Sequence, residues 1–194
     1  MSKDLEAFIT RLDKENLLSH KGLVIWMTGY SGSGKTTLAY ELERKFHEDG
    51  ILTKVLDEDI LTLGLNSNLT LDVKDRSEYI RRTAELAKQL ASCGVVVICS
   101  IVTPTNALRD LAEEIIGEDH FILYHIATSL AVCEHRDRTG YYIKDRNEDI
   151  RNSADVADDF EYPTKALFSI DTENISIEES VNIIFGDLFD LLTI

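Results

Sequence analysis

The eight residues Gly29-Tyr30-Ser31-Gly32-Ser33-Gly34-Lys35-Thr36 fit the spacing GxxxxGK[ST] in full. That spacing serves the binding of a polyphosphate. Glycines let backbone N–H groups turn toward phosphate oxygens without interference from a Cβ. A helix beginning at the end of the motif adds its positive dipole end. Within such a loop, Gly29, Ser31, Gly32, Ser33, Gly34, Lys35, Thr36 and Thr37 are the candidate ATP contacts. Lys35 would neutralise the β- and γ-phosphates, and the Thr36 hydroxyl would ligate Mg²⁺.

The carboxylates that phosphoryl transfer needs follow in Leu56-Asp57-Glu58-Asp59, read as a turn just beyond a strand. One of Asp57 and Asp59 would hold Mg²⁺ through water, with Asp57 and Thr36 as the metal pair. The other would accept the proton of the acceptor hydroxyl, a task given first to Asp59. Lys35, Asp59 and Asp57 are therefore the expected catalytic set. A base-reading NKxD, which a GTPase needs, does not occur. The DxxG match at Asp137–Gly140 lies in a charged segment and is read as chance. Val95–Cys99 is followed by Ser100 and not by the acidic residue that a motor ATPase would carry at a strand end.

A third group of charges runs from about residue 136 to 159. It includes Arg136, Arg138, Lys144, Arg146 and Arg151, and it is poor in aliphatic residues. On its own it reads equally as a solvated loop or as a lid that closes over phosphates. A phosphate loop upstream favours the lid. Arg136 and Arg138 would then approach the donor nucleotide and Lys144 the acceptor.

These groups must be positioned by elements that alternate apolar runs with amphipathic ones, the rhythm of an α/β chain. Strands are expected at Leu23–Met27, Thr53–Leu56, Val95–Cys99, Phe121–Ile126 and Leu167–Ile170. The unbroken run Val95–Cys99 fits a central strand covered on both faces. Helices are expected at Asp4–Leu18, Thr36–Glu48, Asp75–Ser92, Thr105–Ile116 and Ile177–Leu192. The fold class is α/β, a P-loop nucleotide-kinase-like three-layer sandwich with a central parallel sheet. Residues 1–20 form a helical extension, and 21–194 the kinase domain with its charged lid.

The 194 residues suit one domain, with 44% hydrophobic and 28% charged residues. A net charge of −15 argues against partners that are nucleic acids or anionic membranes. No stretch resembles a transmembrane span or signal peptide. The three cysteines Cys93, Cys99 and Cys133 show no CxxC spacing. Cys93 and Cys99 lie at or in an apolar run and read as buried reduced thiols, which places the chain in the cytoplasm.

Taken in order, these segments resemble the adenylyl-sulfate (APS) kinase family, from about Lys21 to about Phe185. The family's GLSGSGKST loop is similar to Gly29–Thr37, and its LDGDN turn to Leu56-Asp57-Glu58-Asp59-Ile60. Its DRxENIRR helix start is similar to Asp75–Arg82, and its ISP segment to Val102-Thr103-Pro104. Its CExRDxKGLYKKA stretch is similar to Cys133–Asp145, and its YEAP segment to Phe160-Glu161-Tyr162-Pro163. The resemblance implies a homodimer that uses ATP and Mg²⁺ and phosphorylates the ribose 3′-hydroxyl of APS. It also implies that Asp57, Asp59, Arg76, Tyr79 and Lys144 face the acceptor.

The acceptor positions depart from the family pattern. An arginine is replaced by Thr62, two phenylalanines by Leu71 and Ser153, and an asparagine by Tyr79. The resemblance implies that the two phenylalanines sandwich the adenine. Loss of both stacking platforms costs about 2–6 kcal/mol of grip. The expected activity is transfer of the γ-phosphoryl of ATP to a hydroxyl of APS or of a related nucleotide-like anion. The alternatives are a kinase for another acceptor, such as a cytidine diphosphate derivative, and a non-catalytic nucleotide-binding regulator.

Overall fold

The computed structural model describes residues 8–70, 73–137, 142 and 160–194. Arg138, Lys144, Leu71, Ser153 and most of the expected lid lie outside the described residues.

The elements run α1 (Arg11–Leu18), β1 (Leu23–Thr28), α2 (Lys35–Glu48), β2 (Thr53–Asp57), α3 (Glu58–Leu63), α4 (Val73–Ala91), β3 (Val96–Ser100) and α5 (Asn106–Ile116). They continue with β4 (Phe121–Ile126), α6 (Leu130–Arg136), β5 (Phe168–Ile170) and α7 (Ile177–Leu192). The strands form one sheet in the order β2-β3-β1-β4-β5. Every pairing is parallel, with Ile25 opposite Ile98 on one side and Ile122 on the other. All five expected strands are present, each within a residue or two of its expected ends.

Alternation along β1 divides the core into two layers. Leu23, Ile25 and Met27 pack with Leu38, Leu42 and Phe46 of α2 and with Val181, Ile184 and Leu188 of α7. Val24 and Trp26 face the other way, onto Ile80, Ala84 and Ala87 of α4 and Ala112 and Ile116 of α5. Both faces of β1 and β3 are thus buried, which is why their sequences carry no polar alternation. Trp26 is fully buried, and its indole Nε1–H donates to Thr103 Oγ1 at 2.9 Å.

Four local readings need correction. Helix α1 begins at Arg11, because Thr10 and Asp13 close a reciprocal capping box there. It docks through Glu15, whose carboxylate accepts from Gly22 N–H at 3.0 Å. Asp57 ends β2 instead of following it, and Glu58 and Asp59 open the short helix α3. A helix, α6, precedes the charged segment, and Arg136 is its last residue. Cys93 is exposed, since it sits in the turn after α4, with Lys14 Nζ 3.7 Å from its sulfur; Cys99 and Cys133 are buried.

Candidate active site

The loop between β1 and α2 wraps the N-terminus of α2. A Cβ on Gly29 would lie 2.5 Å from the Ile126 carbonyl oxygen, so no side chain fits. Gly34 caps α2 at φ 100°, a left-handed conformation that favours glycine. The loop is anchored at its back, where Ser33 O accepts from Thr128 Oγ1 at 2.8 Å and Thr172 Oγ1 at 2.9 Å. At its front Tyr142 donates its hydroxyl to Ser31 O at 2.6 Å. Ser33 Oγ is buried with no hydrogen-bond partner among the described residues, an orphan that a phosphate oxygen would satisfy.

Lys35 is buried at the first position of α2, and its Nζ donates to Gly29 O at 2.9 Å and Tyr30 O at 2.8 Å. Burial pulls its pKa down to about 8, opposed by the negative charge of Glu58 and Asp57. The ammonium thus lies folded back on the loop it would leave to meet phosphate.

Oxygens from three elements meet beside it. Thr36 Oγ1 donates to Asp57 Oδ2 at 2.8 Å and lies 3.1 Å from Ser100 Oγ. Asp57 Oδ1 accepts from Asp59 N–H at 3.0 Å, capping α3. The set is all oxygen, two hydroxyls and one carboxylate, which suits a small hard cation that keeps several waters. Asp59 stands exposed on the first turn of α3. Partial burial of its carboxyl, then Asp57 and Glu58, raise its pKa. A raised carboxyl pKa is a better match to a general base.

Arg136 donates to Thr172 Oγ1 and Thr172 O, both at 3.0 Å, and lines one cleft with Gly32, Gly34 and Thr37. Arg76 and Tyr79 of α4 are both buried. Arg76 pairs with the Glu58 carboxylate. Tyr79 donates its hydroxyl to Glu58 O at 2.8 Å and lies 3.2 Å from Thr62 Oγ1; burial pushes its pKa up to about 12.

Sequence reasoning missed several members of this assembly. In the sequence Ser100 stands out only as a non-acid, yet its position at the carboxyl end of a parallel strand is the available signal. Glu58, between two aspartates, carries no signal of its own in the sequence. Arg109 of α5 is buried and ties the Val102-Thr103-Pro104 segment to Phe160-Glu161: it donates to Thr103 O at 2.9 Å, Pro104 O at 2.8 Å and Glu161 O at 2.6 Å. Held there, Phe160 packs its ring 4.6 Å from that of Tyr30 in the phosphate loop.

The family model for adenylylsulphate kinase matches residues 21–171. A relative from Bacteroides fragilis (strain YCH46), an adenylyl-sulfate kinase, is 43% identical over 177 residues, 91% of this chain and 88% of the relative. One from Klebsiella pneumoniae subsp. pneumoniae, also an adenylyl-sulfate kinase, is 39% identical over 184 residues, 95% of this chain and 89% of the relative. Among solved structures, the Mycobacterium tuberculosis APS kinase in complex with AMPPNP and APS superposes with a TM-score of 0.79 at 33% identity. That match covers 88% of this chain and 98% of the other. Phosphate loop, sheet order and sequence agree, and the chain belongs to the adenylylsulphate kinase family of ATP-dependent phosphotransferases.

Proposed function

We propose that this enzyme transfers the γ-phosphoryl of ATP to a hydroxyl of adenylyl sulfate or a close nucleotide-like relative of it. The single observation that carries the reading is the meeting of Thr36, Asp57 and Ser100 oxygens beside the buried Lys35. When bound there, Mg²⁺ supplies charge neutralisation between the phosphates. Thr36 and Asp57 would hold it, Asp57 through water. Lys35 would swing from the Gly29 and Tyr30 carbonyls onto the β- and γ-phosphates, and Arg136 would flank the donor. Asp59 would take the acceptor's proton. The buried free thiols Cys99 and Cys133 suit a reducing cytoplasm, and the family resemblance supports a homodimer.

The test is ADP release from ATP and Mg²⁺ with adenylyl sulfate supplied as acceptor. Turnover that depends on the acceptor is expected, and it should collapse in Lys35→Ala. Nucleotide binding without ADP release, for adenylyl sulfate and for a panel of other nucleotide acceptors, would overturn the reading in favour of a regulator.

A further inference from the structure

Three departures from the family pattern converge on one group. Glu58 stands where the family's turn has glycine, Thr62 where it has arginine and Tyr79 where it has asparagine. Thr62 Oγ1 and Tyr79 OH both donate to the Glu58 carbonyl, each at 2.8 Å. The backbone of Glu58 is thereby pinned and its side chain is aimed. One carboxylate oxygen pairs with Arg76 Nη1, and the other accepts from Val102 N–H at 3.0 Å.

A buried guanidinium beside a backbone N–H is an anion receptor. This one lies where the chain leaves β3, at the carboxyl end of the sheet, the edge that also carries Thr36, Asp57 and Ser100. Ligands of open α/β sheets bind along that edge. The Glu58 side chain keeps 13% of its surface exposed while that of Arg76 keeps 1%, so the carboxylate is the member of the pair that meets solvent.

We infer that Glu58 is a specificity residue: the chain's own carboxylate fills the anion seat formed by Arg76 and Val102 N–H, so the enzyme selects nucleotide-like acceptors whose group at that seat is uncharged. An incoming anion would have to displace Glu58 toward Asp57 and Asp59. Glu58 sits between Asp57 and Asp59 at the start of α3, so that corner already carries two further carboxylates. The inference rests on the proposed function for the class of acceptor, and it is tested by binding, separately from turnover.

The experiment titrates adenylyl sulfate into the protein loaded with ADP and Mg²⁺, for wild type, Glu58→Gln and Glu58→Gly. Gln keeps the shape and the Val102 contact but removes the charge; Gly empties the seat. The expected result is a Kd about tenfold or more lower in Glu58→Gly. Glu58→Gln should give a smaller gain, and the gain should vanish when Arg76→Lys is added. Equal or weaker binding in both variants overturns the inference. So does failure of both to fold, which would make Glu58 only the packing counter-ion of Arg76. Tighter binding without phosphoryl transfer would remove the proposed function and leave this inference standing. Efficient wild-type turnover of adenylyl sulfate with no gain in binding would do the reverse.

Discussion

Lys35 must be a cation where burial disfavours one. Its folded pKa of about 8 lies below the ordinary 10.5, so between these values the unfolded chain holds a proton that the folded chain has released. Lys35 therefore weakens the fold below about pH 8, and that penalty is relieved as pH rises through the window. Bound phosphates reverse the preference and draw the proton back. At pH 8.5 the binding of ATP should take up about 0.5–1 proton, seen by calorimetry in buffers of different ionisation enthalpy. Lys35→Met should abolish the uptake. Uptake that survives in Lys35→Met would place the titrating group elsewhere.

Asp57 has two jobs that two substitutions can separate. It caps α3 through Asp59 N–H and faces Thr36 with its other oxygen. Asn is as good a cap as Asp, whereas loss of a cap to Ala costs about 0.5–2 kcal/mol. Asp57→Asn should therefore keep the melting temperature while losing most Mg²⁺-dependent turnover. Asp57→Ala should lose both. Equal turnover in Asp57→Asn and wild type would take Asp57 out of metal binding. Asp59→Asn should lower kcat far more than it raises acceptor KM, as expected of a base.

The elements were legible where burial wrote a pattern. β1 and β3 are covered on both faces and read as unbroken apolar runs; α7 has a long apolar stripe, Val181, Ile184 and Leu188, and matches its expected span. Helix α3 was not legible, because six residues are too few to display a period of 3.6. The Glu58–Arg76 pair spans 18 positions and the Arg109–Glu161 contact 52, and neither leaves a local trace. An arginine on an amphipathic helix reads as surface. Arg109 is buried because its guanidinium finds three carbonyls, of Thr103, Pro104 and Glu161, to donate to. Removing it leaves the Thr103 and Pro104 carbonyls to Thr28 Oγ1 and Glu161 N–H but takes the Arg109 donor from the Glu161 carbonyl and empties a buried site, at a cost of about 1–3 kcal/mol. Urea denaturation of Arg109→Ala should show a midpoint lowered accordingly. A loss under about 0.5 kcal/mol would mean that water replaces the brace.

Across the whole molecule, the phosphate loop, Asp57 and Ser100 leave the sheet from β1, β2 and β3, so the site is set by the register of three parallel strands. The single tryptophan of the chain lies in the middle of that arrangement. Trp26 sits in β1, three residues before the loop, fully buried and donating to Thr103. The ultraviolet emission of this protein above the tyrosine band therefore comes from one dry indole at its centre. Its wavelength will shift to the red only when the central strand is wetted. One fluorimeter trace thus follows the loss of the nucleotide cradle and the loss of the fold as a single event.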